Sequence, residues 1–597
     1  IMNTGHFERA VSDVQISRST FEETKRHLTT MNAGFLVPIA SFDVLPGSTW
    51  SVDISSFVRM STPIHPPMDD AWLDVMCFFV PMRQTWSKTK EFFGEPNADP
   101  FEPTPELLEP VLIRGTDSEV LEGTVPPGSI DRRSLAAYYG IPIGTRPGYF
   151  NAKYFRGYGL IWNRWFRAQQ LQTAIDVPVD SIDRHYARST SPDPIPDVQA
   201  DPDYYINCAK DAGCLAPVCK FHDYFTSALT QPQLGDPAAI PLNGVAPVYA
   251  VEDLENVYAR YGNTIIENGN RNAPVKVGSY DAGDDSYGVL GVSGGNLSLG
   301  TDQSLEGAEY TVFLNNLVAD LGYNEELSKS LGRAYSTIND LRYAFATQKF
   351  LENDNVFGTR YRELLYSHFG ITASNIELQD PEMLGGKRVH INTSQVVQTS
   401  STDDVSPQGN VAAYSLTSDK DFLFRKSFTE HGVIHILACI RTNHSYQQGL
   451  EKRFSKRSKF EHYFPEFANI GEQPVLRKEI YISQSSSNDP GESEADLDKP
   501  FGFQEAWAEY RSLGSNRISG QFASQLSDSL DSWHYGDYYL DEPHLSAGWI
   551  AETYKNIDRT LAVTSELADQ FLCDFAFKIR HTEPMPIYSI PGLTPHF

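Results

Sequence analysis

Residues 571–580 read Phe571-Leu572-Cys573-Asp574-Phe575-Ala576-Phe577-Lys578-Ile579-Arg580. Phe571, Cys573, Phe575, Phe577 and Ile579 alternate with more polar or smaller neighbours, the two-residue period of a strand with one buried and one wet face. A similar signal stands near the other end of the chain, where Trp50, Val52 and Ile54 alternate with Ser51, Asp53 and Ser55. Cys77-Phe78-Phe79-Val80 is a continuous apolar run and predicts a strand buried on both faces. Pro38, Pro46-Gly47, Pro63 and Pro66-Pro67 punctuate the segment 32–83 into short strands. Strand signals at both ends, with helices and loops between, predict a sheet that joins the chain's beginning to its end, as in a two-sheet β-sandwich or jelly roll.

The composition fits that reading. Among 597 residues there are 42 Gly and 37 Pro, with 34 Phe, 30 Tyr and 8 Trp. Proline interrupts helices and central strands, whereas aromatic residues favour half-buried strands. Many short strands joined by long loops are expected. Lys and Arg number 49 against 77 Asp and Glu, a formal charge of −28. A field of that sign disfavours non-specific nucleic-acid binding through overall charge and leaves room only for a local basic patch. Six cysteines are too few for a disulfide scaffold. No apolar run approaches the ~20 residues of a membrane-spanning helix. Residues 1–18 lack a charged-then-apolar leader pattern, so a soluble chain of intracellular origin is expected.

Between the two ends the pattern changes. Residues 149–171, YFNAKYFRGYGLIWNRWFRAQQL, predict a short helix rich in aromatics and arginine, read either as packed under a loop or as a nucleic-acid stacking surface. Ser336 to Glu352 predicts a helix whose Ile338, Leu341, Phe345 and Leu351 stripe packs on the sheet. A second helix, Thr359 to Phe369, stops at Gly370. Residues 241–312 differ from both flanks. From Gly278 to Gly300 inclusive there are seven glycines, interleaved with Asp281, Asp284, Asp285 and Tyr287, and Lys276 is the only lysine from 241 to 312. This is too polar for core and reads as an exposed insertion or as a plain flexible loop. A second acidic, serine-rich stretch spans 485–498. The organisation expected is 1–240 as the first part of the sandwich, 241–312 as the insertion, and 313–597 as helical insertions followed by the last strands.

The chemistry suggested by motifs fails on inspection. Gly291-Val292-Ser293-Gly294-Gly295 matches the G-x-S-x-G of a nucleophile elbow, but Asn296-Leu297-Ser298-Leu299-Gly300 after it is no helix start. Cys208, Cys214, Cys219 and His222 have spacings too loose for structural zinc and read as small buried thiols. His431 and His435 lie in a strand-like run, where four residues span ~13 Å and preclude a shared metal. There is no phosphate loop and no H-E-x-x-H. No catalytic residue, metal site or cofactor is expected. One charge reversal stands out. Residues 451–460 carry Lys452, Arg453, Lys456, Arg457 and Lys459 against Glu451 alone, with Phe454 and Phe460 between them. Three readings stay open: contact with phosphates, pairing with an acidic neighbouring subunit, or a solvated face.

Several stretches together resemble the major capsid proteins of gokushoviruses, small single-stranded-DNA phages of the Microviridae. They are Asn32-Ala33-Gly34-Phe35-Leu36-Val37-Pro38-Ile39, Val44-Leu45-Pro46-Gly47 and Arg59-Met60-Ser61-Thr62-Pro63-Ile64. Phe78-Phe79-Val80-Pro81, Phe92-Phe93-Gly94-Glu95, residues 160–167 and Asp223-Tyr224-Phe225-Thr226-Ser227-Ala228-Leu229 come next. The last matches are Gly358-Thr359-Arg360-Tyr361, Ser367-His368-Phe369-Gly370, Tyr446-Gln447-Gln448-Gly449 and Gly471-Glu472-Gln473. They run in family order from about residue 30 to 475. Thr230-Gln231-Pro232-Gln233 lacks the tryptophan usual at that place.

The resemblance implies a mainly β chain, an eight-stranded antiparallel viral jelly roll with long loop and helical insertions. It implies a T=1 icosahedral shell of sixty copies around circular single-stranded DNA, a virion protein assembled in the bacterial host cytoplasm. Further partners implied are a small basic DNA-binding virion protein, a pilot protein and a host cell-surface receptor. By chain order, 241–312 occupies the place of the threefold protrusion, which makes Tyr280, Asp281, Asp284, Asp285 and Tyr287 the candidate host-facing loop. A structural capsid subunit is the expected function. A secreted carbohydrate-active β-sandwich enzyme or an adhesin is the alternative, and the absence of a leader pattern weighs against it.

Overall fold

In the strand over Phe571–Glu583 the phenylalanines and Cys573 are all sealed from solvent while Leu572, Lys578 and Arg580 face water, so the period read from sequence is the period of burial. This is a computed structural model. It describes residues 16–93, 112–114, 130–144, 149–185, 212–238, 338–397, 411–482 and 498–589, with the backbone of short strands between 248 and 319. The chain divides into two compact units, one of residues 1–234 with 352–597, the other of residues 235–351.

The first unit is built on eight long strands. They are β1 (Ser19–Met31), β2 (Val37–Val44), β3 (Thr49–Met60), β4 (Ala71–Pro81), β5 (Glu382–His390), β6 (Thr417–Ser427), β7 (Gly432–Thr442) and β8 (Phe571–Glu583). They form two four-stranded sheets, ordered β1-β8-β3-β6 and β5-β4-β7-β2, and every pairing is antiparallel. The last strand lies between β1 and β3, with Phe571 opposite both Met31 and Met60. The chain's two ends therefore share a sheet, as the alternation predicts. The sheets meet through one apolar core. Phe42 of β2 lies 6.4 Å from the Phe577 ring of β8 and 5.6 Å from Trp50 of β3. The result is a mainly antiparallel β architecture compatible with a sandwich.

β4 and β7 carry apolar residues on both faces because both faces are covered. Beyond the sheet lies helix α1 (Lys153–Ile161), which continues into a π-helical turn over Trp162–Phe166. Phe78 of β4 meets the rings of Trp165 and Phe166 at 5.7 and 6.0 Å. Phe155, Tyr158 and Trp162 are buried, and the Trp162 indole donates to the Pro217 carbonyl at 2.6 Å. This overturns the stacking-surface reading of 149–171, since every ring there except the exposed Tyr149 is buried or partly buried by packing. His435 is likewise core. Tyr139 Oη lies 2.9 Å from its Nδ1, and burial pushes its pKa down to about 3. Gly34, in the first family-like stretch, has φ +88°, and a Cβ there would lie 2.6 Å from the Glu552 carbonyl oxygen, so only glycine fits.

Helix α2 spans Ile338–Phe357 and α3 spans Tyr361–Phe369, the latter ending at Gly370 in the left-handed conformation, as expected. The stripe expected to bury α2 does not. Ile338 and Phe345 are 71% and 65% exposed. Polar residues such as Asn339, Asp340, Arg342 and Gln348 interrupt every turn, so no continuous apolar face exists.

In the second unit, five strands form an antiparallel sheet in chain order: Ala259–Tyr261, Thr264–Glu267, Lys276–Tyr280, Tyr287–Ser293 and Asn296–Leu299. A plain loop is therefore the wrong reading of 241–312. Ser293 stands opposite Asn296, so the G-x-S-x-G stretch joins two strands and not a strand and a helix, which rules out the nucleophile elbow. Residues 485–497 and Cys208 lie outside the described residues. Cys214 is disulfide-bonded, where a free buried thiol is the sequence expectation. Cys219 is a free thiol, pushed up to about 11 by burial. Among the described residues no group of three His, Cys, Asp or Glu is placed to hold a metal, and no helix is long and apolar enough to cross a membrane.

Candidate nucleic-acid and assembly surface

β7 ends at Thr442, and the chain then runs through His444 and Tyr446-Gln447-Gln448-Gly449 into the basic segment. Those residues anchor the basic segment to the body of the subunit. Tyr446 Oη donates to Asp223 Oδ2 at 2.6 Å, and Gln448 donates to the Tyr539 carbonyl at 2.7 Å. Gly449 lies so near the Glu479 backbone that any side chain would collide with it. A second, smaller core of Tyr224, Phe225, Tyr446, Val475, Ile480, Phe501 and Trp549 supports this region.

On that base the five cations separate into two sets. Lys452 and Lys456 turn inward. Lys456 Nζ lies 3.0 Å from Glu509 Oε1 and 3.0 Å from Tyr510 Oη, over the Tyr510 ring at 4.2 Å, and Lys452 Nζ is 3.8 Å from Glu509 Oε2. Although burial opposes its charge, these partners raise the Lys456 pKa. Arg453, Arg457 and Lys459 are exposed, beside exposed Phe454 and Phe460. Arg453 pairs with Glu451 at 2.5 Å, and the Arg457 backbone N–H donates to Glu461 at 2.7 Å. Glu451, Lys452, Lys456, Glu479, Glu509 and Arg517 line a cavity of about 360 Å³. Burial raises the Glu479 pKa, while Tyr224 Oη donates to its Oε2 at 2.9 Å. Glu509, Tyr510 and Arg517 stand 49 to 57 residues beyond the segment's end, and nothing local in the sequence marks them as its neighbours.

Behind the segment lies a closed charge network that sequence reading misses. Lys220 Nζ is 3.0 Å from Asp537 Oδ2 and sits over the Trp549 ring at 4.6 Å. His444 joins Asp537 at 3.1 Å to Glu552 at 2.9 Å, Thr442 donates to Glu552, and Asn556 and Tyr539 donate to Asp537. Burial disfavours the imidazolium, but the two carboxylates outweigh it and raise His444 to about 10. Burial also opposes charge on Asp537, yet Lys220 and His444 hold it well below the usual carboxylate range. The only sequence signal is a lysine, a histidine and two acids scattered among aromatics, which has no period to read.

Of the candidate outer loop, Tyr280 and Tyr287 stand opposite each other at the end of paired strands. Asp281, Asp284 and Asp285 lie outside the described residues.

The described residues thus present two antiparallel sheets and an exposed patch of aromatic rings and cations. The family described as "Capsid protein (F protein)" matches residues 10–593, and the chain belongs to that family. It is 35% identical to capsid protein VP1 of Spiroplasma virus 4 over 97% of this chain and 96% of that protein. It is 33% identical to capsid protein VP1 of Chlamydia phage 1, covering 98% and 97%, and 32% identical to that of Bdellovibrio phage phiMH2K, covering 98% and 97%. These are gokushovirus proteins, as the sequence resemblance indicates. The chain is a structural major capsid protein and not an enzyme.

Proposed function

We propose that this chain folds as an eight-stranded jelly roll and assembles sixty copies into a T=1 shell around circular single-stranded DNA. The observation that carries the reading is the strand order. In β1-β8-β3-β6 and β2-β7-β4-β5 each strand's neighbours come from the other half of the chain, the wrapping of a double Greek key used by viral shells. Such a fold gives a rigid slab whose loops meet neighbours under closed symmetry. Electron microscopy of the purified protein or particle is the test. Uniform isometric shells with sixty copies are expected, and monomers or open polymers overturn the reading.

Within the shell, Arg453, Arg457 and Lys459 with Phe454 and Phe460 form the DNA-facing part of the basic segment. Exposed cations alternating with exposed rings suit a flexible single strand, which offers phosphates and unstacked bases together. Lys452 and Lys456 serve the same surface by holding its fold against Glu509. Because each copy carries −28, the packaged DNA needs further cations, supplied by a small basic virion protein. Particles containing only this chain and DNA, with no basic protein or polyamine, would count against that supply. Residues 241–312 form the host-facing protrusion. Replacing 246–308 with a short Gly-Ser linker is expected to leave folded subunits whose particles no longer attach to host cells. Normal attachment would place host recognition elsewhere. A pilot protein and a host receptor complete the partners this reading requires.

A further inference from the structure

The end of α2 and the whole of α3 present a face that the described residues of the first unit leave exposed. Val356, Phe357, Tyr361, Tyr366, Phe369 and Ile371 are between 46% and 67% exposed, and α3 buries no residue. On α3, Tyr361, Phe369 and Tyr366 fall within an arc of ~140° at 100° per residue, and Leu365 lies inside it. The Phe357 and Tyr366 rings meet edge to face at 6.3 Å, which ties the two helices into one patch.

The charged groups of this patch are already engaged. Arg360 pairs with Glu363 at 2.9 Å and donates to the Arg167 carbonyl at 3.0 Å. His368 lies 2.8 Å from Asp354. Arg362 lies over the Trp165 ring at 4.9 Å and donates to Asn375 at 3.2 Å. What remains outward is ring and aliphatic surface with the hydroxyls of Tyr361 and Tyr366, which favours a protein partner that is itself largely apolar. A fully exposed large side chain carries on the order of 200 Å². Six such residues at about half to two-thirds exposure present roughly 700 Å². That is larger than the usual apolar patch of a monomer and close to the ~800 Å² each partner contributes to a stable interface.

We infer that this face is an interface with a second copy of this chain, with Phe369 and Tyr366 as its central anchors. The inference rests on the shell reading for its partner but not for its location. Aromatic anchors at the centre of a dry contact carry most of its free energy. The backbone beneath is fixed, because α3 is capped at Gly370 and its first turn is closed by Arg360 and Glu363, so little ordering opposes the docking.

The test uses the full-length chain, followed by sedimentation velocity and by hydrogen exchange with mass spectrometry across its association range. Amides of 356–371 are expected to gain protection as copies associate. Phe369→Asp combined with Tyr366→Asp should raise the concentration of half-association roughly tenfold or more. Phe369→Tyr should retain wild-type association. Both positions are exposed, so an unchanged urea midpoint shows that the subunit still folds. Protection of this face in an assembly other than a sixty-copy shell upholds the interface and overturns the shell. A sixty-copy shell with 356–371 unprotected upholds the shell and overturns the interface. A chain that does not self-associate overturns both. Protection gained only on adding lipid vesicles or a second virion protein overturns the choice of partner.

Discussion

Lys220 and Lys456 are set in nearly the same way. Each ammonium lies 3.0 Å from a carboxylate, Asp537 or Glu509, and each sits over an aromatic ring, Trp549 at 4.6 Å or Tyr510 at 4.2 Å. Their surroundings differ. Around Lys220 the remaining valences are closed by His444, Glu552, Asn556 and Tyr539, and the lysine is fully buried. Around Lys456 the site opens into a cavity, and the same short segment carries exposed Arg453 and Lys459. The same pair chemistry therefore does two jobs. A closed, mutually neutralising network fixes the junction between β7 and the loops after it. The open one holds up a surface whose outer cations stay exposed.

The largest effect should come from opening the closed network. Asp537→Ala leaves Lys220 and His444 buried without their shared anion, a change that typically costs ~3–5 kcal/mol. Subunits should unfold at markedly lower urea, with loss of soluble yield. A change below ~1 kcal/mol would show that the network carries no structural weight.

pH offers a second handle on the same contrast. His444 is raised to about 10, above its unfolded value near 6.5, so its contribution is full below ~6.5 and lost as pH climbs to 10. Asp537 is depressed, so its contribution is full above ~3.8 and lost as pH falls below that. Lys220, Glu552 and Tyr539 face the same groups and complete the charge environment. Maximum melting temperature is expected between about pH 4 and 6.5, with a decline toward pH 10. His444→Gln should flatten that alkaline decline. An unchanged slope would place its cause elsewhere.

These two regions also show what a sequence can disclose. β8 was legible because burial repeats every second residue, and β4 because covering on both faces leaves a continuous apolar run. The basic segment was visible as composition. Its division into inward and outward cations was not, because Glu509 and Tyr510 arrive from more than fifty residues away. The buried network had no local signature at all, since its four charged members come from positions 220, 444, 537 and 552. The stripe assigned to α2 misled for the opposite reason, a helical period in which polar residues also face every side.

Charge reversal within the segment should separate its two sets. Lys456→Glu sets two carboxylates together on little-exposed side chains at the cavity wall and should lower subunit stability by ~1–3 kcal/mol. Arg453→Glu and Lys459→Glu sit on exposed surface and should change stability by less than ~0.5 kcal/mol, while reducing retained DNA in purified particles. Equal stability losses at all three positions would erase the distinction between an inward and an outward set.

The finest measurement is the salt dependence of single-stranded DNA binding. Each phosphate neutralised on a single strand contributes about −0.7 to the slope of log affinity against log salt. If only Arg453, Arg457 and Lys459 reach the strand, this segment contributes a slope near −2, whereas all five cations would give about −3.5. Titrating a labelled oligonucleotide onto the full-length subunit gives the total. The difference between wild type and the triple Arg453→Gln, Arg457→Gln, Lys459→Gln variant isolates the segment's share. A difference near 2 fits lysines 452 and 456 as internal partners of Glu509. A further drop of about 1.4 on adding Lys452→Gln and Lys456→Gln would mean that those lysines abandon Glu509 for phosphate. The two lysine sites would then differ in strength of pairing as well as in closure, because Lys220, ringed by its network, has no such alternative.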